Sequence, residues 1–93
     1  MRLGKVIAAA IRDEVSGAIY TEPPPARHHN LIHAMVDEHG LTPPIGGARF
    51  TQGFLCEKDN TFVSRGRAEL EARESGQLTK PLIGSVLTSE DLW

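Results

Sequence analysis

The sequence predicts an α+β fold, in which a small antiparallel sheet, made of an N-terminal hairpin and central strands, carries two helices. Three observations support this. Residues 6–12 (VIAAAIR) and 18–22 (AIYTE) are short apolar stretches parted by the polar run Asp13, Glu14, Val15, Ser16, Gly17, which is the pattern of a hairpin. Residues 26–39 repeat apolar side chains at helical spacing. Residues 49–55 (RFTQGFL) instead place Phe50 and Phe54 on one face under a period of two.

In the first hairpin the Ser16-Gly17 pair supplies the turn, and Ile19, Tyr20 and Thr21 suit a pleated surface. For residues 6–12 a helix is the competing reading, because three alanines favour it. Pro23, Pro24 and Pro25 then end the strand and feed a helix, since proline lacks a ladder donor yet tolerates a first helical turn. Along residues 26–39, Leu31, Ile32, Met35 and Val36 fall on one side and Asn30 and Asp37 on the other, and Gly40 closes the helix. Residues 41–47 (LTPPIGG) read as a connector.

After the strand at 49–55, in which Gly53 marks a bulge or a close backbone approach, Lys58, Asp59 and Asn60 turn the chain back to Phe62 and Val63. Ser64 caps a second helix over residues 65–75, with Gly76 at its stop. Ala68 and Ala72 share a face of it while Leu70 points away, so a lightly packed or interface helix is expected. Residues 77–87 read as irregular or as one short strand at LIGSVL.

A chain of 93 residues reads as a single domain, residues 1–93, that buries only about two-thirds of its unfolded surface, and pairing with a second copy would bury more. The net charge of −2 argues against gripping a nucleic-acid polymer, which needs clustered Lys and Arg. One cysteine, Cys56, allows no internal disulfide, and no signal-peptide pattern opens the chain, so a cytoplasmic setting is expected. The longest apolar run, residues 6–11, falls far short of the ~20 needed for a membrane span.

Several residues invite a chemical reading. His29 and His33 have metal-ligand spacing, but zinc needs three or four ligands and Cys56 lies elsewhere, so no metal or cofactor is expected. His28 projects into the apolar stripe and reads as a hydrogen-bonded core or interface imidazole. Arg27, at the helix start, is either a phosphate clamp or a solvated charge. Arg65 and Arg67 flank the Ser64 cap beside Phe62, which either packs in the core or stacks a base; Arg12 is a third basic candidate. Residues 69–78 (ELEARESGQL) superficially resemble a Nudix pyrophosphohydrolase box but lack the metal-binding glutamates after Arg73-Glu74. No strand-turn-helix elbow surrounds Ser64, Ser75 or Cys56, and a non-enzymatic protein that binds a small phosphorylated ligand is expected.

The order AAIR, IYT, PPPARHH, TQGFL, FVSR, SGQL and LTSEDLW resembles, along nearly the whole chain, the small phage proteins that counter the bacterial Thoeris defence by sequestering its signal. Its most specific pieces are QGF at 52–54, FVSR at 62–65 and SEDLW at 89–93. The resemblance implies a sponge that binds cyclic ADP-ribose isomers without cleaving them, in the cytoplasm of an infected bacterium. It implies a homodimer or a homohexamer, a trimer of dimers, with pockets shaped by two subunits. It also implies a second site for cyclic oligonucleotides, in particular trinucleotides, which Arg27 would face with Leu31 one turn on. An adenine-containing cyclic pyrophosphate needs a ring face, amide or carboxyl groups and arginines. Phe54 or Phe62, Gln52, Gln77, Asp91, Arg12 and Arg65 supply them. The rivals are a phosphodiesterase acting on the same messenger and a protein-binding inhibitor of a host enzyme.

Overall fold

The structure, a computed structural model, describes residues 2–43, 45 and 47–93. Its sheet has four strands, β1 (Val6–Asp13), β2 (Ile19–Glu22), β3 (Phe50–Cys56) and β4 (Thr61–Ser64), in the order β2-β1-β3-β4 with every pair antiparallel. Helix α1 (His28–Asp37) follows β2, and α2 (Arg65–Glu74) follows β4 directly. The expected α+β architecture is therefore present, with residues 6–12 in a strand rather than a helix.

Local chemistry explains most boundaries. In the hairpin turn the Asp13 carboxylate accepts the Val15 N–H at 2.9 Å and Gly17 takes a φ of +79°, a left-handed conformation that costs glycine little. The expected helix over 26–39 is two residues shorter at each end. Arg27 is extended (φ −111°, ψ 175°) and serves as the N-cap, donating its N–H to Asn30 Oδ1 at 2.9 Å. At the other end Leu41 N–H returns to the Met35 carbonyl across Gly40. The strand expected at 49–55 is shifted by one residue, and the helix expected at 65–75 ends at Glu74. Ser64 caps that helix through Arg67 N–H at 3.4 Å. No strand forms among LIGSVL; residues 78–88 are irregular and lead into a short 3-10 turn, Ser89–Asp91. Residues 44 and 46 of the expected connector lie outside the described residues.

The alternation of each strand splits the sheet into two faces. One face, built by Ala9, Ile11, Phe50, Phe54, Cys56 and Val63, packs under Leu31 and Met35 of α1 and Ala68 and Ala72 of α2. Burial there pushes the Cys56 thiol pKa up. A bulge at Ile7, where β1 spends two steps from Val6 to Ala8 against one step of β3, turns Val6 into this same core. The other face carries Ala8, Ala10 and Leu55, with Ile7 and Phe62 against them, and its apolar cluster contains only strand residues.

Candidate functional site

The uncovered face of the sheet holds the best-defined combination of ring and cation. Register places Arg12 of β1 opposite Thr51 of β3, and Leu55 of β3 opposite Phe62 of β4, so all four side chains share one face. Between them lies Gly53. A Cβ there would collide with the Val63 carbonyl and with the Phe62 ring, so the missing side chain is what lets the ring approach the β3 backbone, as the glycine in the sequence led one to expect. The Arg12 guanidinium then sits 4.6 Å from the ring centroid, within cation–π range. Its Nε donates to Glu14 Oε1 at 2.8 Å, and Thr51 Oγ1 donates to the same carboxylate at 2.8 Å. The hydrogen bonds from Arg12, then that from Thr51, hold Glu14 below the usual carboxylate range. Among the described residues Arg12 Nη1 makes no hydrogen bond. Around the pair, Ala8, Ala10, Leu55 and the 45% exposed Ile19 form an apolar floor.

The other candidate binding residues do not join this platform. Gln52 and Phe54 lie on the helix-covered face, by the parity of β3. Phe54 is wholly buried, its ring 5.0 Å from that of His28 in an edge contact, so it packs in the core and offers no stacking surface. Gln52 meets Arg65, whose Nη2 donates to its side-chain oxygen while Nη1 donates to the Leu87 carbonyl at 2.6 Å. Burial lowers the pKa of that half-buried guanidinium. Gln77 is a structural tie: its amide accepts from Val6 N–H at 2.8 Å and donates to the Val6 carbonyl at 2.7 Å. Asp91 accepts from the N–H groups of Thr88 and Ile83, at 2.9 Å each, and shapes the last turn.

At the implied second site, Arg27 donates from Nε and Nη2 to the Trp93 main-chain oxygen at 2.9 and 2.5 Å, and the Trp93 indole N–H donates to the Ala26 carbonyl at 2.9 Å. Leu31 is 1% exposed and packs inward with Met35, so within one chain it has no surface to offer a ligand. His28 is the buried imidazole its position in the stripe implied: Nε2 lies 2.8 Å from the Gly53 carbonyl, and burial holds its pKa below the ordinary value.

Sequence reasoning missed Glu14 and Thr51 beside Arg12. The parity of β3 puts Thr51 on the Gly53 side, but the register to β1 has no local signal. It also missed how the end of the chain closes over Arg27 and Arg65. A shallow recess of about 250 Å³ near that end is lined by Leu78, Lys80, Pro81, Ile83, Glu90 and Asp91. Among the described residues no three His, Cys, Asp or Glu side chains converge as a metal site would require, and no helix is long and apolar enough to cross a membrane.

No curated protein and no solved structure matches the chain. Its residues 5–93 match the family described as the phage T4 y16D protein, and since that match spans all but the first four positions, the chain belongs to the phage T4 y16D protein family.

Proposed function

We propose that this phage-family protein is a sponge: it captures a cyclic ADP-ribose isomer, does not cleave it, and so keeps it from its receptor in the bacterial host. The observation that carries the reading is the Arg12–Phe62 stack on the uncovered sheet face. A ring beside Gly53, with a guanidinium over it and apolar floor beside it, offers a stacking surface for a base, and the guanidinium, whose Nε and Nη2 bind Glu14, keeps one nitrogen for a phosphate. The unengaged Nη1 is available to an incoming anion. The cyclic ligand is already restrained and loses little freedom on capture.

A single chain presents this platform open on one side. In this reading a second copy covers it, as a homodimer or within a homohexamer, and completes the pocket over Phe62. The arginine-anchored start of α1 is the place for a second nucleotide, a cyclic trinucleotide, at the Arg27 end of the molecule.

The test is capture followed by release. The protein is mixed with cyclic ADP-ribose isomers, desalted and heat-denatured, and the freed small molecule is chromatographed. Intact ligand recovered in stoichiometric amount is the expected result. Linear products would make the protein a phosphodiesterase, and no retained nucleotide would favour an inhibitor that binds a host protein.

A further inference from the structure

His28 and Gly53 are each a costly residue for the place they hold, and they meet. Gly53 lies in the interior strand β3, paired with Ala10 of β1 on one side and Ser64 of β4 on the other. A glycine in a strand loses more conformational freedom on folding than any other residue and has no side chain to pack. His28, the first residue of α1, is 7% exposed and packs its ring against Phe54. An apolar side chain of similar size would fill that place with no polar group to satisfy. The imidazole is satisfied at one point: Nε2 lies 2.8 Å from the Gly53 carbonyl oxygen. A carbonyl oxygen only accepts, so Nε2 carries the proton and donates.

We propose that His28 is a positioning residue for the open face: by holding the Gly53 carbonyl from the helix side, it fixes the stretch of β3 against which the Phe62 ring packs. Both sides of Gly53 are in use. On the helix side its carbonyl accepts the imidazole N–H. On the open side an added Cβ would stand 2.7 Å from Phe62 Cζ and 3.1 Å from Cε2, so the ring packs against the bare Cα. The Arg12 guanidinium lies 4.6 Å from the centroid of that ring. The missing side chain that admits the ring also makes this peptide the easiest in β3 to tilt. A tilt moves the Cα, and with it the ring, relative to Arg12 and the Glu14 carboxylate that Arg12 and Thr51 share. The hydrogen bond from His28 resists that tilt where residue 53 has no side chain to do so. Phe54, next in the chain, holds the imidazole in turn through its edge contact at 5.0 Å.

The consequence for binding rests on the proposed nucleotide platform, whereas the positioning of the ring does not, and the test keeps the two apart. His28→Gln places an amide N–H where Nε2 stands and keeps the donor. His28→Leu fills the space without one, and His28→Asn has an amide that stops at the Nδ1 position, short of Gly53. In each full-length variant the Phe54 and Phe62 ring protons and the Gly53 carbonyl carbon are followed by NMR. The Phe54 ring, which touches residue 28, is expected to shift in all three. The Phe62 ring and the Gly53 carbonyl should shift in His28→Leu and His28→Asn and stay at the parent position in His28→Gln. Retention of the cyclic ADP-ribose isomer that the capture experiment recovers should weaken roughly two- to tenfold in the Leu and Asn variants, the span of one neutral hydrogen bond. His28→Gln should restore it. A Phe62 ring unmoved in the Leu and Asn variants, or moved as far in His28→Gln as in His28→Leu, overturns the positioning role. A ring that follows the donor while retention stays at the parent level upholds the positioning role and removes the platform from the proposed function. Where the parent chain retains no nucleotide, the ring shifts decide alone, and if His28→Leu fails to fold, His28→Asn carries the same comparison.

Discussion

The two faces of the sheet are made by the same four strands and yet obey different rules. On the covered face Phe54 is fully enclosed, Ile11 and Val6 fill the space under the helices, and no buried side-chain nitrogen or oxygen among the described residues lacks a hydrogen-bond partner. On the open face Ala8, Ala10 and Gly53 leave a low floor beside Leu55 and Ile7, and the one ring, Phe62, packs there with a guanidinium over it. Large side chains face the helices, where packing sets stability, and the small residues on the outer face leave room for the Phe62 ring. The two phenylalanines of QGF and FVSR therefore do unlike things, and chemistry alone does not distinguish them. The parity of the strand does.

That contrast can be broken from either side. The largest effect is expected from Phe54→Ala, which opens a cavity in the covered face and should cost about 3–5 kcal/mol. This is a large part of the roughly 5–15 kcal/mol that holds a domain folded, and urea unfolding followed by circular dichroism measures it. Next comes Gly53→Ala. The added methyl meets the Val63 carbonyl and the Phe62 ring, so a loss of about 1–3 kcal/mol is expected, together with displacement of the ring, visible in its proton shifts.

His28 supplies a pH-dependent version of the same comparison. Its imidazole is kept neutral by burial, so its folded pKa lies below that of the unfolded chain, which is about 6.5. The unfolded state therefore takes up the proton first, and this contribution to stability is complete above about pH 6.5 and falls as the pH drops from there towards the folded pKa. Melting curves from pH 8 to pH 5 (about 8 to 5 spans that window) should show the decline, and His28→Asn should flatten it. The smallest stability effects belong to the open face. Phe62→Ala should cost about 1–2 kcal/mol for a half-buried ring, and Arg12→Gln about 0.5–1 kcal/mol. Both should nonetheless abolish nucleotide retention if the platform is the binding surface. Retention by Arg12→Gln at the parent level would remove the platform from the proposed function.

Features written in neighbouring residues were legible before any coordinates. The Ser16-Gly17 turn, the Ser64 cap, the Gly40 and Gly76 stops and the close approach at Gly53 each depend on a few adjacent side chains. The helix boundary at His28 was less so: Arg27 is an extended cap that donates its N–H to Asn30, while its guanidinium reaches Trp93, 66 positions away. The bulge at Ile7 left no trace in VIAAAIR, where apolar residues stand at every position from Val6 to Ile11 and either face would accept them. The partial assembly of the site has the same cause. Arg12 and Phe62 meet because β1, β3 and β4 pair in one register, while Gln52 shares a strand with Thr51 and points the other way. Arginines can be counted in a sequence, but the face that each one serves depends on strand register.

The carboxamide of Gln77 has a consequence for how this small sheet avoids growing. β2 pairs only with residues 9–12 of β1, so the beginning of β1 would present bare main-chain groups to any passing strand. Gln77 answers the N–H and the carbonyl of Val6 with one side chain, taking the place of a neighbouring peptide unit. Exchanging it for glutamate would turn its donor into a charged acceptor facing the Val6 carbonyl, and the start of β1 would be left open to pairing with another strand.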